Sequence, residues 1–133
     1  MITYLWIALG SALGGMARYG CSTLAAGWIG EKHPWTATLA INVIGSFIIG
    51  AFSALSGPGG RIAVSPDVRL FVMVGICGGY TTFSSFSLQT LNLMRGGQMA
   101  MAGVNIVGSV VLCLLAVWLG VFVAGGFSPV RAG

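Results

Sequence analysis

Acidic side chains are almost missing from this sequence: Glu31 and Asp67 are the two carboxylates in 133 residues. Neither lies within an apolar run, so no carboxylate stands at membrane depth to couple transport to protons or to balance a cationic drug. Their absence argues against a small multidrug exporter, which would share the size and hydropathy of this chain. Histidine is as scarce. His33 is single, with no second histidine, cysteine or acid at ligand spacing, which leaves no metal centre of the usual kind. No nucleophile, base and orienting acid occur together in the apolar runs, so an enzyme is not expected. Cys21, Cys77 and Cys113 lie in apolar segments without metal spacing and read as small buried residues, not as a disulfide framework. The six basic residues, Arg18, Lys32, Arg61, Arg69, Arg95 and Arg131, are scattered, so no nucleic-acid partner is expected.

Hydrophobic sequence takes up the rest. With 56% hydrophobic and 6% charged residues and a mean hydropathy of +0.96, the chain reads as an all-α integral membrane protein, one domain over residues 1–133, with the lipid bilayer as its solvent. The charge-free runs predict four transmembrane helices at about residues 2–27, 36–56, 68–94 and 98–124, joined by loops too short for an extramembrane domain. The apolar N-terminus lacks the basic region of a signal peptide and reads as a mature first span.

Within the first span, Gly10 to Gly15 carries the small-xxx-small spacing that lets helices approach closely in lipid. Arg18 lies inside the same span, where an unpaired arginine costs roughly 2 to 3.5 kcal/mol at the bilayer centre. It is either a snorkelling anchor or a fixed positive charge in an aqueous vestibule. Glu31 to Trp35 forms a loop that ends in an interfacial tryptophan. In the second span Thr38, Asn42 and Ser46 recur every fourth residue and share a face. In the fourth, Met101, Asn105, Ser109 and Cys113 do the same, and Asn105 to Ser109 nearly repeats Asn42 to Ser46. Inter-helix hydrogen bonding is the plain explanation for either stripe alone.

The third span is the unusual one. Ser65-Pro66-Asp67 is a helix start, and from Leu70 to Met94 the run carries no charge. Its middle, Gly75 to Ser87, is a cluster of glycines and hydroxyls. Gly78-Gly79 adds no helix propensity, and Thr81 and Thr82 offer the backbone competing bonds, so the helix is expected to open within Gly75 to Thr82 and resume at Phe83. Backbone opened at membrane depth survives only inside protein or beside a polar cavity. Phe83, Phe86 and Thr90 then share a face, with Ser84 and Ser87 beside it.

Four spans put Arg61, Arg69 and Arg131 on one side of the membrane and Arg18, Lys32 and Arg95 on the other. Equal positive charge gives no preferred orientation and makes an antiparallel, dual-topology homodimer possible, with the breaks of the two copies meeting at the midplane. Amide and hydroxyl donors, ring edges and one arginine are compatible with an anion as the permeating species. A coupled transporter, or an accessory protein whose stripes only join helices, is the alternative.

Gly78-Gly79-Tyr80-Thr81-Thr82-Phe83-Ser84-Ser85-Phe86-Ser87 resembles the signature of the Fluc (CrcB) fluoride channels. Gly14-Gly15-Met16-Ala17-Arg18-Tyr19 and Thr38 to Gly45 continue the likeness. The resemblance implies an antiparallel homodimer of four-helix subunits in the inner (plasma) membrane of a bacterium, with two pores for passive fluoride efflux. It implies a central structural Na⁺ held by the backbone carbonyls of Gly78 and Thr81 from both copies. It also assigns Phe83 and Phe86 as the ring pair beside the anion, with Asn42, Ser84, Ser85, Asn105 and Ser109 along the pore and Arg18 in the vestibule. Gln89, Ser85 and Met101 depart from residues common in the family, which has glutamate, threonine and, in some members, tyrosine at those places.

Overall fold

The computed structural model describes residues 1–29 and 33–125. Glu31, Lys32 and Arg131, which enter the loop and the charge balance above, lie outside the described residues. Regular structure among the described residues is helical: α1 (Ile2–Ile29), α2 (Pro34–Ser56), α3 (Pro66–Leu70), a wider π-helical segment (Phe71–Cys77), α4 (Gly78–Tyr80), α5 (Phe83–Arg95) and α6 (Met99–Gly125). Among the described residues three units are long and apolar enough to cross a membrane, namely α2, the 30-residue stretch from Pro66 to Arg95, and α6. At 28 residues, α1 is about 42 Å long, and unlike the other three it carries a charged residue, Arg18, well inside its length. The chain is an all-helical, multi-pass membrane protein.

Local chemistry explains the ends. Pro34 opens α2, where a missing N–H costs nothing. Ser65 Oγ accepts from Val68 N–H at 3.3 Å to cap α3, with Pro66 behind it and Asp67 in the first turn. At the other end of this span, Gly97 adopts φ +73°, Gly97 N–H donates to Met94 C=O and Gln98 N–H to Leu93 C=O. That pair of bonds is a Schellman turn, and the left-handed residue it needs is a glycine. α5 therefore reverses directly into α6.

Packing depends on glycine at helix crossings. α2 and α6 run in the same direction, with Gly50 against Val117, Gly120 against Phe47 and Ala51, and Gly125 against Ala54. α1 lies along the third span, and here the contacts are backbone on backbone. A Cβ on Gly10 would sit 2.8 Å from Gly75 Cα, a Cβ on Gly79 would sit 2.6 Å from the Ser11 carbonyl oxygen, and Gly14 faces Ile76. The small-residue spacing of α1 thus meets a matching set on its neighbour, as close helix packing in lipid requires.

The helix does open in the third span, but later than its glycines suggest. Gly78 is helical at φ −65°, ψ −36°, and the extended residues are Thr81 (φ −81°, ψ 156°) and Thr82 (φ −151°, ψ 112°). Gly75 and Gly79 are there because α1 leaves no room for a side chain, so the stretch from Gly75 to Tyr80 is helical and not irregular. The wider turn over Phe71–Cys77 has no signal in its apolar composition.

Candidate functional site

The interruption is built around Thr82. Its N–H donates to Asn42 Oδ1 at 2.8 Å, and its C=O accepts from Asn42 Nδ2 at 3.1 Å. Its hydroxyl accepts from Ser85 N–H at 3.3 Å, donates to Ser85 Oγ at 3.0 Å and lies 3.3 Å from Ser84 Oγ. Thr82 is therefore the N-cap of α5, replacing one of the bonds that helix starts lack. Just before it, Thr81 N–H and Thr81 Oγ1 both donate to Cys77 C=O, at 3.0 and 2.9 Å, closing the last turn of α4.

Two carbonyls lose their helical partners as a result. A continuous helix would give Thr82 N–H to Gly78 C=O and Ser85 N–H to Thr81 C=O. Here the first goes to Asn42 and the second to the Thr82 hydroxyl. Gly78 is exposed on the surface of the chain and Thr81 is partly exposed.

Beside the break is a cavity of about 440 Å³. Asn42, Gly45 and Ser46 of α2 line it on one side, Gly78, Thr81, Thr82, Phe83 and Phe86 on another, and Ser109 and Cys113 of α6 on a third. Phe83 and Phe86 form a tilted pair, with centroids 5.2 Å apart and planes at 44°. Phe86 is buried at 9% exposure, whereas Phe83 stands 77% exposed. Gly45 is glycine because Thr81 Cγ2 and the Tyr80 ring occupy the space a Cβ would need.

Behind this wall runs a directed chain of hydrogen bonds. Ser109 Oγ donates to Asn105 Oδ1 at 3.3 Å, Asn105 Nδ2 to Thr90 Oγ1 at 2.9 Å, and Thr90 Oγ1 to Phe86 C=O at 2.7 Å. Asn105 is 1% exposed, so a lost partner here would leave a buried amide unpaired at a cost of about 1–3 kcal/mol. The two similar motifs thus do related work: Asn42 of α2 holds the break and Asn105 of α6 holds α5 just beyond it.

Of the residues singled out in the sequence, Asn42, Gly78, Thr81, Phe83, Phe86 and Ser109 come together around the cavity. Ser84 and Ser85 sit on the first turn of α5 in the Thr82 cap, and Asn105 lies behind Ser109. Arg18 is on α1, partly buried, and its Nε is shielded without a hydrogen-bond partner, as is Gln89 Oε1 on α5. Met101 is exposed at 41%.

The family described as CrcB-like protein, Camphor Resistance (CrcB), matches residues 5–121. The chain belongs to the CrcB family. Its relatives include a protein of Methylocella silvestris, 61% identical over 96% of this chain and 97% of its own length. Proteins of Opitutus terrae, 56% identical over 98% of both chains, and Rhodospirillum rubrum, 58% identical over 90% and 92%, are similar again. All three are named fluoride-specific ion channel FluC. CrcB proteins are ion channels, and this member is not an enzyme.

Two residues central to this CrcB site escape a reading by side-chain type. Thr82 matters through its backbone and its cap. Its signal is the spacing to Ser85, a hydroxyl three residues ahead of the amide it satisfies. Thr90 shares the Phe86 face, but only the packing of α5 on α6 makes it the acceptor for Asn105.

Proposed function

We propose that the chain is one subunit of a fluoride-selective channel that lets fluoride leave the cell down its own gradient. The observation that carries this reading is near-full-length identity to proteins named fluoride-specific channels, in a chain whose ring pair, broken helix and polar wall adjoin one cavity. α1 serves as a fourth span, and the membrane is the bacterial inner (plasma) membrane. Two copies associate antiparallel through the face that carries the break, forming two pores. The exposed Phe83 ring and the exposed Gly78 backbone give that face something to cover.

In each pore the edges of Phe83 and Phe86, electropositive at the hydrogens, face the anion. The hydroxyls of Ser84 and Ser85 replace part of its water, with Ser109 lining the path, Asn42 and Asn105 holding the wall and Arg18 attracting anions at the mouth. Fluoride is small and accepts hydrogen bonds strongly, so donors in a narrow path favour it over chloride. With no carboxylate within a described helix beyond the first turn at Asp67, the path neither repels an anion nor couples it to a proton.

The break also suits a structural Na⁺. Its donor set is the carbonyls of Gly78 and Thr81, neutral oxygens whose helical N–H partners are engaged elsewhere, and hard cations of this kind take oxygen ligands. When bound between two copies, the ion supplies a fixed positive charge that joins the subunits and favours nearby anions. The test is efflux from liposomes loaded with fluoride and containing purified protein. Rapid fluoride release without any second gradient is expected, and chloride release at a comparable rate would sink the selectivity claim.

A further inference from the structure

Asn42 spans from α2 to the break and commits both polar atoms of its amide to one residue's backbone, the N–H and the C=O of Thr82. In an α-helix the N–H and C=O of a residue point in opposite directions along the axis, so no single amide reaches both. In an extended residue they point to the same side, as in the paired residues of an antiparallel ladder. Thr82, at φ −151° and ψ 112°, is extended. The Asn42 amide thus matches the open form of the chain at Thr82 and has no equivalent pairing with a continuous helix.

We propose that Asn42 is a positioning residue: it selects the extended form of Thr82, keeps the helix open, and so presents Gly78 and Thr81 carbonyls within a single subunit before any cation or second copy arrives. This action runs through the Thr82 backbone, in addition to the place of Asn42 in the cavity wall. The partner and the cation then meet a preorganised surface and do not have to open a helix themselves. A helix re-formed through Thr82 would return its N–H to Gly78 C=O and withdraw that carbonyl. This role rests on the channel reading only where flux is the readout.

The decisive measurement is amide hydrogen exchange at Thr82 in the full-length protein in lipid nanodiscs, wild type against Asn42→Ala. Thr82 N–H is expected to be protected although it lies outside a helix, and to exchange up to about tenfold faster in the variant, the upper scale of one hydrogen bond, with α6 amides unchanged. A second variant alters no side chain: an ester in place of the Thr81–Thr82 peptide bond removes the Thr82 N–H, and it also weakens the Thr81 carbonyl as an acceptor. It and Asn42→Ala are expected to raise the Na⁺ concentration for half-maximal fluoride efflux by a similar factor. Unchanged Thr82 exchange in Asn42→Ala overturns the proposal. So does an ester variant with wild-type flux and Na⁺ dependence beside an inactive Asn42→Ala, because the amide would then act on the ion directly. If the wild type moves no fluoride, the channel reading fails while the exchange result still decides the clamp.

Discussion

Phe83 and Phe86 belong to one ring pair yet stand in different surroundings, and this separates stability from flux at the scale of single residues. Phe86 is buried and Phe83 is exposed at the cavity edge. Phe83→Ile is expected to change the unfolding free energy by less than about 0.5 kcal/mol, and Phe86→Ile by about 1 kcal/mol. Both are expected to lower fluoride flux at least tenfold, roughly, by removing the ring edge; thermal unfolding in detergent and liposome efflux measure the two effects, and unchanged flux in both would remove the rings from the mechanism. Asn105 lies at the other extreme. Asn105→Ala breaks the chain from Ser109 to Thr90 and is expected to cost about 1–3 kcal/mol. Asn105→Ala with the unfolding temperature of wild type would show that the chain contributes nothing.

Between α1 and the third span, backbone meets backbone, so a single methyl group has few ways to be accommodated. Gly79→Ala would push against the Ser11 carbonyl and Cα and is expected to cost about 1–3 kcal/mol, with a fall in the yield of folded protein on size exclusion. Gly15→Ala is the control. It lies on α1, the helix against which Gly79 packs, with nothing within 4 Å of a Cβ, and is expected to be neutral or to stabilise by up to about 1 kcal/mol through helix propensity. Equal behaviour of the two would exclude close packing as the reason for glycine at position 79. The third span itself was legible as a helix with an interruption, because Thr81 and Thr82 compete for backbone bonds. The glycines beside them were misleading: their cause is the neighbouring helix, which local propensity does not contain.

At the scale of the whole molecule, large apolar side chains cover the outside, among them Leu5, Leu9, Leu13, Leu114, Leu115 and Trp118, and the cavity with its break opens on the same surface. In the proposed assembly a second copy and lipid divide that surface between them. Replacing Na⁺ by a large organic cation on both sides of the membrane is expected to lower fluoride efflux and weaken the dimer. Full activity and an intact dimer after exhaustive exchange would argue against a structural sodium ion. A single cysteine added in the loop at Gly59, outside the spans, is expected to be labelled by an impermeant thiol reagent from both faces of cell membranes in about equal amounts if the chain inserts both ways. Labelling from one face alone would exclude dual topology.

Composition was enough to determine a multi-pass helical membrane protein, because burial in lipid is a property of residues summed along a helix. The cluster from Gly78 to Ser87 was enough to point to the family, since it sits within a continuous run of sequence. Only tertiary structure decided what Asn42, Thr82, Thr90 and Asn105 do. Asn42 meets Thr82 across 40 positions and Asn105 meets Thr90 across 15, and a hydrogen bond between helices depends on rotation and depth that no local pattern encodes. Tertiary structure alone also showed that the opening falls at Thr81 and Thr82 and not at the glycines, since α1 needs those glycines for its approach while Asn42 supplies the extended backbone with its partners.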